Sequence, residues 1–210
     1  SSTYRDGSFS DEYSYNGIGF TVGLISSNLA QLIKLNDIKD LRIGITYSNK
    51  STIDADTVNN STTIIGTISN SSGKISTKLP YRFGAGLSLQ FSDYLLAVDY
   101  LYQPFNQFTI DNKRLNELKN LQKISLGMEY RKSELRSHSY WEQVILWGGL
   151  SYEKTQYNIN NKSIDMIAVY SGFSLPLGLE STIDFAFQFG KRGTTENNLL
   201  RENIYKFSIT

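Results

Sequence analysis

The chain has 210 residues, enough for one ordinary domain or two small ones. Its 21 basic and 20 acidic residues leave a net charge of +1, without the basic excess that nucleic-acid binding requires. With no cysteine and a single histidine, it has no disulfide framework, no thiol nucleophile, no Cys-based zinc site and little scope for a triad.

The rest of the composition is distinctive. There are 14 Tyr and 11 Phe against 2 Trp, together with 16 Gly. Only 3 prolines and a mixed polar–apolar texture argue against a disordered chain. Mean hydropathy is −0.31, and no run of about 18 apolar residues offers a spanning helix. That average does not exclude a membrane β-barrel, whose strands alternate apolar and polar residues and so cancel in a hydropathy window.

In chain order, a first strand is expected over 13–24, carrying Ile18, Phe20, Val22 and Leu24. A second carries Leu41, Ile43, Ile45 and Tyr47. The polar stretch 48–79 reads as a long loop, with a short extra strand somewhere in 62–69. Next comes the strongest signal in the sequence. Tyr81, Phe83, Ala85, Leu87, Leu89 and Phe91 fall on one face, and Arg82, Gly84, Gly86, Ser88, Gln90 and Ser92 on the other. Twelve residues of strict alternation correspond to about 40 Å of strand, far longer than the usual five or six residues.

A tight turn at Ser92-Asp93 leads to Tyr94, Leu96, Val98, Tyr100 and Tyr102, with Asp99 opposite, and Pro104 closes that strand. The loop 103–120 follows, with one or two helical turns expected at 115–121. Ile124, Leu126, Met128 and Tyr130 then alternate with Lys123, Ser125, Gly127, Glu129 and Arg131. Val144, Leu146, Leu150 and Tyr152 oppose Gln143, Trp147 and Ser151. The segment 163–175 is strand-like but apolar on both faces, so the pattern does not orient it. Ile183, Phe185, Phe187 and Phe189 alternate with Asp184, Ala186, Gln188 and Gly190. Finally Tyr205, Phe207 and Ile209 oppose Glu202, Lys206 and Ser208.

Short links near 35–40, 92–93 and 176–181, with a longer one at 132–139, alternate with long polar ones at 48–79, 103–120, 153–162 and 190–198. Outer-membrane barrels have short periplasmic turns and long extracellular loops. The reading is therefore all-β: a transmembrane antiparallel barrel with about nine or ten strands in these residues. Since bacterial single-chain barrels have even strand numbers, a count of nine leads to the expectation that residues 1–210 are the C-terminal part of a larger barrel.

Alternation nominates the residues facing the lumen: Arg82, Gln90, Asp99, Lys123, Glu129, Arg131, Gln143, Trp147, Asp184, Gln188, Glu202 and Lys206. They suit either a polar conduit or a wet, salt-bridged filling, and the latter is the more ordinary. Tyr81, Phe91, Tyr94, Tyr102, Tyr130 and Tyr152 lie near strand ends, where amphipathic rings favour the headgroup layer. Gly84, Gly86, Gly127 and Gly190 are expected either to kink the wall or to make room for a plug. His138, flanked by Ser137 and Ser139 in a turn, lacks the fixed geometry of a catalytic dyad. Asp54 and Asp56, or Asp111 and Asn112, do not spell out a calcium site, and Gly190–Gly193 lacks the helix of a phosphate loop. No catalytic, cofactor-binding or metal-ligating residue is assigned.

The tail from Gly190 through Lys191, Arg192, Gly193 and Leu199-Leu200-Arg201-Glu202 to Tyr205 resembles the final hairpin of Bacteroidetes-like proteins of the outer-membrane long-chain fatty acid and hydrocarbon transporter family. Leu79-Pro80-Tyr81-Arg82-Phe83-Gly84, Val98-Asp99-Tyr100, Leu126-Gly127-Met128-Glu129-Tyr130 and Ser171–Leu177 resemble the same family's hairpins, so the likeness covers 79–210. It implies a 14-stranded barrel with an N-terminal plug and a passage for hydrophobic molecules. No plug counterpart is present, and Thr210 stands where such barrels carry an aromatic residue.

The functional expectation is a bacterial outer-membrane channel that passes hydrophobic small molecules by diffusion, without covalent chemistry or cofactor. Its partners would be membrane lipid, a hydrophobic ligand and envelope-complex subunits. The alternatives are a non-transporting barrel subunit of a larger outer-membrane complex, a soluble β-barrel binding protein and, more remotely, an outer-membrane hydrolase.

Overall fold

A computed structural model describes residues 8–34, 37–63, 66–132, 139–159, 162–177 and 181–210, with side chains except at 8–13, 57–63 and 66–73. The described residues form antiparallel strands in two connected sheets. The larger has nine strands: β2 (Thr21–Ile25), β3 (Ile38–Ser48), β6 (Arg82–Phe91), β7 (Tyr94–Gln103), β10 (Leu121–Tyr130), β11 (Ile145–Ile159), β12 (Lys162–Pro176), β13 (Thr182–Arg192) and β14 (Glu202–Ile209). They pair in that order, each with the next, and β2 and β14 are the sheet's two edges. The smaller sheet runs β1 (Ser8–Ile18), β4 (Ser51–Thr63), β5 (Gly66–Leu79), β8 (Thr109–Ile110) and β9 (Lys113–Arg114).

The smaller sheet continues the larger one. β1 leads into β2, β3 into β4 and β5 into β6, each across a two-residue break. At the first break Asn49 mends the ladder: its Oδ1 accepts from Phe20 N at 2.8 Å, and its own N–H donates to the Phe20 carbonyl at 3.1 Å. Pro80, which has no N–H to donate, interrupts the strand before β6. The stretch 48–79, expected as a loop, is therefore a long hairpin extending past the larger sheet. Likewise 153–162 is not a loop, because β11 and β12 each run 15 residues, with a register shift between Lys154 and Asn158. No helix forms at 115–121, where Leu118 instead bridges Tyr157. The short link before β3 begins earlier than expected and holds α1 (Leu29–Leu32), capped by Asn28.

Register fixes the two faces. On one, Ile43, Leu87, Val98, Leu126, Leu150, Val169, Phe189 and Tyr205 form an unbroken transverse row. Aromatic rows bound it. Toward the short turns, Phe91 stacks on Tyr94 at 5.5 Å, Tyr94 meets Tyr130 at 5.2 Å and Phe173 stacks on Phe185 at 4.8 Å. Toward the long hairpins, Tyr81 lies between Tyr47 and Tyr102 at 6.1 and 6.3 Å. Phe83 and Phe91, near opposite ends of β6, are about 26 Å apart along the strand. A barrel tilt of roughly 40° reduces that to about 20 Å, suited to a thin outer membrane.

This apolar face has nothing packed on it. Among the described residues the only buried hydrophobic side chains are Ala30 and Ala168, whereas Leu126 is 48% and Leu150 53% exposed. A water-soluble sandwich or barrel must bring its apolar faces together around a core, and these do not meet. Lipid supplies the missing layer, which is how a membrane barrel wall is built. Leu126→Arg is expected to destabilise the folded barrel by about 2–4 kcal/mol in urea titrations from lipid vesicles. Ser125→Arg, one residue away on the opposite face, should cost less than about 1 kcal/mol.

Candidate functional site

The face opposite the lipid-type surface is polar and built from transverse rows. One runs Gly44, Gly86, Asp99, Ser125, Ser151, Ala168, Gly190. The next, toward the long hairpins, runs Thr46, Gly84, Leu101, Lys123, Glu153, Met166, Arg192, Glu202. On the other side lies Arg42, Ser88, Ala97, Gly127, Gly149, Tyr170, Gln188, Lys206, followed by a row with Gln90, Glu129 and Trp147. Small residues, with Asp99 the exception, thus form a low central lane that widens at Ser88, Ala97, Gly127 and Gly149. It is bordered by Lys123, Glu153, Arg192 and Glu202 on one side and by Arg42, Tyr170, Gln188 and Lys206 on the other.

Of the twelve nominated residues, all but Arg131 and Gln143 lie on this face within strands. Arg131 follows the end of β10 and pairs with Glu129 at 2.9 Å. Gln143 closes a 3-10 turn at Tyr140–Gln143, opened by Ser139 and Glu142 in a capping box, and so precedes β11 rather than lying in it. His138 falls outside the described residues. The structure also orients β12, directing Ile167, Val169 and Phe173 to the apolar face and Met166, Ala168 and Tyr170 to the polar one.

The glycines on this face do not kink the wall. None of the register shifts, at 38–40, 57–58 and 154–158, involves Gly84, Gly86, Gly127 or Gly190. At Gly86, and at Gly172 on the same face, the role is clearance, whereas a Cβ at Gly127 would meet nothing within 4 Å. A Cβ at Gly86 would collide with the Asp99 carboxylate, and one at Gly172 with the Trp147 indole and the Phe185 carbonyl. Trp147 therefore lies across the next strand's backbone, a seat that exists because position 172 has no side chain.

Two recesses result. The first, about 500 Å³, is floored by Gly23, Gly44, Gly84 and Gly86 and flanked by Arg82, Asp99, Leu101 and Lys123. The second, about 710 Å³, lies beside Glu153, Met166, Arg192 and Glu202, with Asn198, Leu199 and Leu200 of the β13–β14 loop along it. Ion pairs join neighbouring strands around them: Lys123 to Glu153 at 3.5 Å and Arg192 to Glu202 at 2.6 Å. Arg192 and Glu153 were not nominated from the sequence. Both extend the alternation of Gln188–Gly190 and Trp147–Ser151 by one more step, which is the signal that would have found them.

The remaining motifs have structural uses. Asp111 Oδ1 accepts from Ser76 N at 2.9 Å and Asn112 Oδ1 from Lys78 Nζ at 2.6 Å, joining the β8–β9 turn to β5. Asp56 faces Lys74 at 3.7 Å. Gly190, Lys191 and Arg192 are part of β13, and Gly193, at φ +86°, turns the chain out of it.

Two predictions follow from this geometry. Gly172→Ala is expected to dislodge Trp147 and cost about 1–3 kcal/mol as overpacking, visible as a changed tryptophan emission. In the β13–β14 loop, hydrogen bonding and charge from Lys162 hold the Glu196 carboxyl below its ordinary pKa. A carboxyl whose folded pKa is depressed contributes fully above about pH 4.3 and loses that contribution as pH falls through the folded value. Amide exchange in 194–199 should thus be constant from neutral pH down to about 5, after correction for intrinsic rates, and rise below about 4. Glu196→Gln should remove the acid-dependent step.

No curated protein matches the chain. Among solved structures, the CymD monoaromatic hydrocarbon channel is similar, with a TM-score of 0.50 and 16% identity over 97% of this chain and 66% of that one. The chain therefore spans just under two thirds of that channel's length, and at this identity the likeness is one of fold. It supports the resemblance read over 79–210 at the coarser level of an outer-membrane barrel. The family model for BamG matches residues 8–210, almost the entire chain, and the protein belongs to the BamG family.

Proposed function

We propose that this chain forms the wall of a bacterial outer-membrane barrel that serves as a non-enzymatic subunit of the BAM complex, without covalent chemistry of its own. The observation that carries this reading is the BamG family match across residues 8–210. The chemistry of the polar face supports it. The recesses of this wall set Arg82, Asp99, Lys123, Glu153, Arg192 and Glu202 among apolar residues such as Leu101 and Met166, so a hydrophobic solute lying there would be in contact with charged groups. Moving an apolar solute past such groups displaces their water without replacing its hydrogen bonds.

The open edges bear on assembly. In lipid, a strand edge without a partner leaves N–H and C=O groups unsatisfied, at several kcal/mol each by rough estimate. We infer that further strands cover β2 and β14 in the membrane, as the expectation of a larger barrel requires.

A second reading, diffusion of hydrophobic molecules, is favoured by the fold shared with a hydrocarbon channel and by the glycine-floored recess of about 500 Å³. One comparison separates the two. The tagged full-length protein, extracted in mild detergent, is expected to co-purify stoichiometrically with the BAM barrel subunit. Reconstituted alone, it should give no uptake of monoaromatic hydrocarbons above empty vesicles. Uptake without any association would overturn the first reading and establish the second.

A further inference from the structure

The apolar face ends differently at its two rims. At the short-turn rim the nearby cations are neutralised, Arg131 by Glu129 at 2.9 Å and Lys132 by Glu142 at 2.9 Å. At the long-hairpin rim, Lys154 of β11 and Lys191 of β13 point out with the apolar side chains, and neither makes an ion pair among the described residues. The one acid between them is engaged elsewhere. Asp165, directly opposite Lys154, accepts from the Tyr152 hydroxyl at 2.6 Å and from the Ser163 hydroxyl.

Directly below these lysines the apolar face has a groove. Gly148 and Ser171, neighbours across β11 and β12, are the short positions in a row that otherwise carries Leu96, Met128, Phe187 and Phe207. The resulting depression is about 380 Å³, walled by Val169, Phe187, Phe189, Tyr205 and Phe207. On β13, Lys191 is the next residue on this face after Phe189. An apolar groove running up to two lysines outside any ion pair among the described residues, with the single carboxylate of Asp165 turned to hydroxyl donors beside them, has the polarity profile of an anionic lipid at the membrane–water boundary.

We propose that the outward face of β11–β14 binds a phosphorylated lipid of the outer leaflet, its acyl chain in the groove over Ser171 and its phosphates on Lys154 and Lys191. Two strand spacings and a two-residue offset separate these lysines by about 12 Å at Cα, which suits a headgroup bearing more than one phosphate. The site depends on the face being lipid-exposed and not on whether the barrel assembles or transports.

Native mass spectrometry of the detergent-purified full-length protein tests this, using bisphosphorylated lipid A against the same lipid dephosphorylated. The wild type is expected to retain the phosphorylated form at about tenfold lower concentration. The Lys154→Ala/Lys191→Ala variant should lose that preference, Lys154→Arg/Lys191→Arg should keep it, and Lys113→Ala, on the extension sheet, should not alter it. Ser171→Phe, which fills the groove, should weaken retention of both lipids while the protein still migrates as folded on unheated gels. Equal retention of the two lipids by wild type, or an unchanged preference in the double alanine variant, would overturn the proposal. So would complete displacement of the lipid by millimolar inorganic phosphate, which would point to a site for free anions.

Discussion

Everything in this structure depends on a sheet that is one layer thick. Neighbouring strands of the nine-stranded sheet pair along most of their length, yet almost no hydrophobic side chain is buried among the described residues. In water such a sheet would expose a continuous apolar surface with nothing to remove it from solvent, and the entropy of ordering the chain would go uncompensated. Lipid resolves both difficulties. It covers the apolar face, and by offering no competing hydrogen bonds it makes the strand ladder obligatory.

That constraint explains why the two faces differ in kind. The lipid-type face must be apolar but need not interlock, so its requirement is met by almost any large hydrophobic residue, and rings gather at the rims. The polar face has to fit side chains against neighbouring strands. Asp99 over Gly86 and Trp147 over Gly172 are cross-strand fits, each pairing a large group with a missing one. Where a large group is seated over a glycine, as at Gly86 and Gly172, substitution is therefore more consequential than exposure suggests. Clearance, not charge, is what a mutation there disturbs first.

The same asymmetry governs what could be read from the sequence. Alternation over 81–92 gave length, faces and neighbouring hairpin because one side of that strand is uniformly apolar. β12 resisted orientation because Met166, Ala168 and Tyr170 on its polar face are as hydrophobic as Ile167 and Val169 on the other. Of β4 and β5 only a short strand in 62–69 is expected from the sequence, because Ser, Thr and Asn dominate both segments and leave little apolar period to detect. Gln143 lies outside the strand because Ser139 and Glu142 carry the spacing of a capping box, a turn signal that prevails over the alternation following it. The seat of Trp147 was out of reach for another reason: periodicity assigns a face but not the register that sets one strand's tryptophan over another strand's glycine.

The charges of the polar face also bear on function. Water-exposed ion pairs such as Lys123–Glu153 and Arg192–Glu202 contribute at most about 1 kcal/mol each, so stability is a poor account of them. Their consequence is the character of the space they border. Pairs bridging adjacent strands, beside a lane of Gly, Ala and Ser, make a hydrated wall with a shallow central channel. A hydrophobic solute finds apolar contact there at Leu101 and Met166, but only beside charged groups that hold their water. A polypeptide segment, carrying its own donors and acceptors, can lie close against small residues and exchange hydrogen bonds with the charged rows. On this argument a polypeptide fits the small-residue lane and its charged borders at least as well as an oily cargo, which is compatible with the assembly role proposed above.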